Sequence, residues 1–186
     1  RDGQGIKREK SEAMKQTEEW NTAKSRIENQ IKELRHRLHT CPEISGQERK
    51  TEAALKQFLE ESTNLELHDC GGGFYAVYRS STADSAKKGV AFRADYDALA
   101  LPEGGAAHLC GHDGHASALC GAALLLEQQV KEGRDPGRNV YFLFQPAEET
   151  GAGAAPCCEL FDKEEIEEIY GAHNLPGFAF GELYTK

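Results

Sequence analysis

Long apolar runs are missing from this 186-residue chain. None approaches the roughly 20 residues that a membrane-spanning helix requires, so no membrane partner is expected. Residues 1–20 are rich in charge and lack the apolar core of a secretory signal, which points to a cytoplasmic location. A basic stripe with interleaved aromatics is also missing. Acidic residues outnumber basic ones by 31 to 22, a formal charge of −9, which argues against a nucleic-acid partner. No internal repeat and no low-complexity segment is present. The Gly151–Ala155 stretch lacks the lysine of a phosphate-binding loop and the spacing of a dinucleotide fingerprint. It reads as a flexible turn that lets a substrate approach closely. The six cysteines are unevenly spaced, and Cys157 and Cys158 are adjacent, a poor geometry for bridging. Free thiols in a reducing compartment are expected, with Cys41, Cys70 and Cys120 as buried apolar residues.

A chain of this length can bury a real core and make one domain or most of one. Residues 1–24 are polar and read as an N-terminal extension or the start of a helix, and residues 25–186 as the folded unit. Ile27, Ile31, Leu34 and Leu38 recur at helical spacing until Pro42 stops the pattern. Ser45-Gly46-Gln47-Glu48 has the form of a capping box before a second helix lined by Thr51, Leu55, Phe58 and Leu59. Short strands follow at Leu65–Cys70 and Phe74–Arg79, flanking three glycines that suggest a hairpin. A polar loop covers 80–88. Val90–Phe92 reads as a strand, His115–Val130 as a buried helix closed by Gly133–Gly137, and Val140–Phe144 as a strand covered on both faces. Ile166, Ile169 and Tyr170 suggest a further helix end or strand. Strand, helix, strand in this order favours an α/β fold, a layered sheet flanked by helices with right-handed crossovers.

Chemistry concentrates in His108-Leu109-Cys110-Gly111-His112-Asp113-Gly114-His115. A thiolate and an imidazole two residues apart can reach one soft or borderline divalent ion. Other polar groups fall just after predicted strands: Asp95 with Asp97, Glu148 with Glu149, and His173. Ligands of open α/β sheets bind beyond the carboxyl ends of strands, so these segments can converge on one crevice. Neighbouring glutamates diverge in an extended or turning segment. One can therefore bind a metal while the other faces activated water, the donor set of a one- or two-metal hydrolase. Against these stand the ordinary roles. His36 and His39 flank a helix end, His68 suits packing or surface, and Glu164-Glu165 with Glu167-Glu168 suit a solvated face. A Cys110 nucleophile with His112 as base is disfavoured, because such pairs usually meet across a fold.

Four blocks, Cys110–His115, Phe144–Glu149, Phe92–Leu99 and Gly171–Gly177, closely resemble the M20 metallopeptidase family. They are most similar to its amidohydrolase branch of hippurate, N-acetyl-diaminopimelate, aminobenzoyl-glutamate and auxin-conjugate hydrolases. Arg35-His36-Arg37-Leu38-His39-Thr40-Cys41-Pro42-Glu43 resembles the same branch, and the likeness runs from about Ile27 to the end.

The resemblance implies a zinc-exopeptidase type of catalytic domain with a mixed sheet. It implies Cys110, His112, Glu149 and His173 as metal ligands, Glu148 as general base and Asp97 orienting a ligand, with Asp95 as the alternative for that role. His115 is assigned to hydrogen bonding behind the ligands. The implied cofactors are two divalent ions, zinc or manganese with cobalt as a further option, and the implied substrates are N-acyl amino acids or small peptide-like conjugates. Ala100 and Leu101 before Pro102, and the short Glu103–Leu109 segment, depart from the family pattern at the expected pocket rim. Relatives continue into a lid and dimerisation domain and a late histidine ligand. Here the sequence stops at Tyr184-Thr185-Lys186, so a partial catalytic domain with exposed apolar sheet surface is expected. The competing reading is a metal-binding scaffold without turnover.

Overall fold

The computed structural model describes residues 2–84, 87–175, 177, 181 and 182, with side chains from residue 17 onward. Residues 85 and 86 of the expected polar loop, Pro176 of the His173 block and the closing Tyr184–Lys186 lie outside the described residues. Among the described residues no helix is long and apolar enough to cross a membrane.

Helix α1 (Asp2–His39) stops short of Pro42 and turns Ile27, Leu34 and Leu38 inward, the spacing that one helical face requires. Helix α2 (Arg49–Ser62) buries Leu55 and Leu59. Strands β1 (Glu66–Cys70) and β2 (Gly73–Tyr78) form the hairpin expected at the glycines, with Cys70 opposite Gly73. Strand β3 (Gly89–Asp95) leads into a small antiparallel ribbon of β4 (Leu99–Ala100) and β5 (Ala106–Ala107). Helix α3 (His112–Lys131) follows, starting one turn earlier than the apolar pattern suggests. Strand β6 (Val140–Gln145) is buried along its whole length. Two short helices, α4 (Ala154–Cys157) and α5 (Glu159–Lys163), precede β7 (Ile166–Gly171).

The five long strands make one mixed sheet in the order β1-β2-β6-β3-β7, in which β6, β3 and β7 run parallel. Helices cover both faces. On one, Leu34, Leu38, Leu55 and Leu59 pack with Phe74, Phe142 and Phe144, each large apolar side chain contributing roughly 1.5–3 kcal/mol by leaving water. On the other, Tyr75, Val77, Tyr141 and Leu143 meet Cys157 and Leu160 of the short helices. Strand β7 is an edge, with Ile169 and Tyr170 exposed.

Because β6 and β7 lie on opposite sides of β3, the chain leaves the carboxyl end of β3 toward one neighbour and later returns beside the other. The Asp95–Gln145 pairing aligns the ends of β3 and β6. A crevice at such a reversal is where open α/β sheets place ligands.

Some local expectations give way to tertiary contacts. Ser45 and Glu48 do not form a capping box: α2 begins at Arg49 with no side-chain cap from Glu48. Instead Glu43 Oε2 accepts from the Thr51 backbone N–H at 2.8 Å and its hydroxyl at 2.9 Å, which frees Ser45 and Glu48 to bond elsewhere. Cys41 is exposed rather than buried, since it falls just past the end of α1. Cys70 and Cys120 are buried as expected. His68 stacks on Tyr75.

Glu164 is not part of a solvated face, although Glu165, Glu167 and Glu168 are exposed or nearly so. Its carboxylate receives Arg79 Nη1 and Nη2 at 2.9 and 2.7 Å and the hydroxyls of Tyr75 and Tyr141 at 3.1 and 2.9 Å. The Arg79 hydrogen bonds outweigh burial and hold its pKa at about 2, below the ordinary 4.5. A depressed folded-state pKa stabilises the fold above the unfolded pKa, and that contribution disappears as pH falls from about 4.5 toward 2. The Arg79 side chain is 41% exposed, so after solvent screening the pair is worth on the order of 1 kcal/mol. Glu164→Gln should therefore lower Tm at pH 7 and leave a flatter acid dependence between those limits. Thermal melts of both proteins across pH 2–7 would expose an error if the two curves run parallel.

Candidate metal centre

The site grows from the ends of three parallel strands and the start of α3. Asp95 closes β3 and Asp97 follows two residues later, both fully buried. Asp97 Oδ1 lies 2.9 Å from His112 Nδ1, while its Oδ2 accepts from Ser45 Oγ at 2.6 Å and from the Glu149 backbone N–H at 3.0 Å. Burial opposes the charge on Asp97, but these donors prevail and hold its pKa down. An ionised carboxylate only accepts, so His112 Nδ1 carries a proton, and the neutral ring in that tautomer presents the Nε2 lone pair. Burial pulls the His112 pKa down and the surrounding carboxylates, Asp97 first, more than offset it.

Among the described residues His112 Nε2 has no hydrogen-bond partner although it is buried, and neither has Glu149 Oε1. They stand 3.7 Å apart, with Asp95 Oδ1 at 3.7 Å and Glu148 Oε2 at 3.8 Å from the same nitrogen. Leaving buried donors or acceptors unmade is costly, and an unpaired native group calls for a specific cause. His173 uses Nδ1 to donate to the Asn174 carbonyl at 2.7 Å, which leaves its Nε2 lone pair 3.5 Å from Cys110 Sγ. The Cys110 thiol has its pKa pushed up to about 11 by burial and then by Glu149 and the other nearby carboxylates. A cation placed among these groups would reverse that effect and favour the thiolate.

Two donor sets share His112: Cys110, His112 and Glu149, and Asp95, His112, His115 and His173. Within each, one ligand atom per residue lies within 4.8 Å of the others. Cys110, His112, Glu149 and His173, the ligands expected from sequence, thus fall in one region, with Glu148 and Asp97 beside them. The orphaned Nε2 and carboxylate oxygen, facing each other among thiol and imidazole donors, fit a divalent cation. His115 is engaged on both ring nitrogens: Nδ1 meets Asp95 Oδ1 at 2.7 Å, and the Asn174 backbone N–H donates to Nε2 at 3.2 Å. Asp95 also receives Arg93, and its pKa is held at about 2 because the His115 bond and the Arg93 charge overcome burial.

The supporting residues were harder to foresee. Glu48 Oε1 accepts from the Ala147 N–H at 2.8 Å, fixing the residue before Glu148 in the left-handed backbone region at φ +49°, which costs a non-glycine residue about 1–2 kcal/mol. Asn174 packs on Gly111, where φ is +89° and an added Cβ would lie 2.6 Å from the Asn174 Oδ1. In the Gly151–Ala155 stretch Gly153 is buried and closely packed, while the other four residues are exposed. The N–H groups of Ala152 and Gly153 donate to the Ala147 carbonyl at 3.1 and 3.2 Å, and α4 begins at Ala154.

The chain resembles known proteins in sequence and fold. Residues 91–184 match the profile of Peptidase family M20/M25/M40. The chain is 36% identical over 173 residues to an N-acetyl-L-cysteine deacetylase of Bacillus subtilis, an alignment covering 87% of this chain and 40% of the relative. A crystal structure of a Bacillus subtilis dinuclear metal-binding peptidase from the M20 family superposes with a TM-score of 0.69 at 34% identity, covering 84% of this chain and 45% of that one. An aminobenzoyl-glutamate utilization protein from Klebsiella pneumoniae shares the fold, with a TM-score of 0.65 at 19% identity over 83% of this chain and 45% of that one. The chain spans about 40% of the length of the curated relatives it matches.

The Gly153 corner yields a direct test. A Cβ there would lie 1.6 Å from the Pro146 carbonyl oxygen, a backbone atom in the segment that carries Glu148 and Glu149. Gly153→Ala should cost about 1–3 kcal/mol as an overpacking change, read as a lower midpoint in urea unfolding. An unchanged midpoint would contradict the close packing of this corner.

Proposed function

The chain belongs to Peptidase family M20/M25/M40, and from that premise we propose that residues 25–186 are part of a metal-dependent amidohydrolase catalytic domain. Its substrates are N-acyl amino acids or small peptide-like conjugates. Cys110, His112, Glu149 and His173 would hold two divalent ions, zinc or manganese with cobalt accepted, a donor set that suits borderline metals. The observation that carries this reading is the buried His112 Nε2, without a hydrogen-bond partner among the described residues and facing the carboxylates of Asp95, Glu148 and Glu149.

Bound divalent ions would supply Lewis acidity toward the scissile carbonyl and lower the pKa of water. The chain's own residues do the rest. Glu148, with its side chain 39% exposed, stands at the open side of the cluster, where it accepts a proton from the attacking water and returns it to the leaving nitrogen. Asp97 holds the His112 ring in the tautomer that presents Nε2. The N-acetyl-L-cysteine deacetylase relative supports an acyl-amino-acid substrate.

Binding without turnover is the second reading, favoured by the openness of the cluster: His173 is exposed, and Leu109 and Leu175 beside the ligands are 70% and 57% exposed. An unshielded site positions water and substrate poorly.

The two readings separate on one set of assays. Metal content and hydrolysis of a panel of N-acetyl amino acids, N-acetyl-L-cysteine included, are measured for the wild type and for Glu148→Gln. The hydrolase reading expects turnover that falls about 10²–10⁴-fold in the variant with metal content unchanged. Stoichiometric metal with no hydrolysis across the panel would overturn it in favour of binding alone.

A further inference from the structure

One sequence block that resembles the family, Arg35–Glu43, contributes none of the residues assigned above, yet it touches the metal centre's supports. Arg35 and His39 stand one helical turn apart on α1. Both reach Asp113, the residue after His112: Arg35 Nε lies 2.9 Å and His39 Nδ1 2.7 Å from Asp113 Oδ2. The Asp113 side chain is completely buried, whereas those of Arg35 and His39 are roughly half exposed.

We propose that the Arg35–His39–Asp113 contact is a lock that positions the metal ligands at the start of α3. Arg35, His39 and Asp113 act as positioning residues through Cys110 and His112. The proposal rests on the metal reading above.

Helix α3 starts at His112 after Gly111, which has φ +89° and offers no side-chain cap. At its start the Gly111 carbonyl accepts from the N–H groups of Gly114 and His115 at 2.9 and 3.1 Å. A helix start without a cap frays readily, and this one carries a ligand at its first position and another two residues before it. Asp113 ties that turn to α1, which is itself held by the core through Leu34 and Leu38.

Energetics favour a role beyond stability. Burying the Asp113 carboxylate costs desolvation that offsets much of its attraction to Arg35 and His39, and the best-attested use of such a buried charge is to fix register. Small displacements matter at a metal site. Partners that orient ligands without touching the ion typically change affinity by 10–100-fold when removed.

Co2+ titration of the metal-free protein provides the test, read as the Cys-thiolate-to-Co2+ absorption band, with Tm measured in parallel. Arg35→Ala and His39→Ala lie on α1, replace none of the assigned ligands, and are expected to weaken Co2+ binding at least about tenfold. His39→Asn, which can place an amide N–H close to Nδ1, is expected to restore most of that loss. Glu127→Ala removes the acceptor for the Asn64 N–H and side-chain amide, contacts of 2.9 and 3.2 Å far down α3. It should lower Tm while leaving Co2+ affinity within twofold. Wild-type binding with Arg35→Ala and His39→Ala also within twofold of it would overturn the lock alone. An Asn variant as weak as the Ala variant, or a Glu127→Ala loss as large, would show a general stability effect and overturn it as well. A wild type with no band would overturn the metal reading and the lock together.

Discussion

The hydrogen bond between Asp97 and His112 is the constraint on which the rest of the centre depends. Both groups are fully buried, so their relative position is not negotiable with solvent. Asp97 spends one oxygen on the imidazole and the other on Ser45 and the Glu149 backbone. One carboxylate therefore sets the direction of the His112 ring and also fixes the backbone of the glutamate doublet. With Nδ1 committed, Nε2 points into a ring of carboxylates with nothing among the described residues to bond to it. A cation is the natural completion of that arrangement, because it satisfies the nitrogen and relieves the mutual repulsion of the acids in one step.

The sheet makes the convergence possible. Strand β3 sits between two parallel neighbours, and residues beyond all three carboxyl ends meet: Asp95 and Asp97 from β3, Glu148 and Glu149 from β6, His173 from β7. The start of α3 supplies Cys110 and His112 between the first two. Behind this layer, residues 43–48 act as a second support. The Glu43 carbonyl accepts from the Ala98 N–H at 2.8 Å, Ser45 bonds Asp97, and Glu48 bonds Ala147. The side chains of Ser45 and Glu48 and the Glu43 carbonyl thus hold site loops.

Much of this was legible in the sequence because its signals are local. The 3.6-residue apolar pattern of α1, the glycine-flanked hairpin and the all-apolar β6 each reflect one element's own periodicity. Cys110-x-His112 and Glu148-Glu149 declare their chemistry within a few residues. What stayed hidden depends on partners far away. Ser45-x-x-Glu48 satisfies a local capping pattern, yet both side chains bond residues 52 and 99 positions later. His39 looked like an ordinary helix-end histidine because Asp113 lies 74 residues on. Glu164 was masked by the three exposed glutamates around it, and only Arg79, 85 residues earlier, distinguishes it. In each case the local pattern was real and a tertiary hydrogen bond took the group instead.

The account stands or falls on what completes His112. Crystals of the protein soaked in Zn2+ and measured at the zinc absorption edge would locate any ordered ion by its anomalous signal. The account predicts a peak at roughly 2.0–2.1 Å from His112 Nε2, the ordinary zinc–imidazole distance, with Cys110 and Glu149 also bound. An ordered zinc elsewhere, or none, with His112 Nε2 bonded only to water or protein, would contradict it.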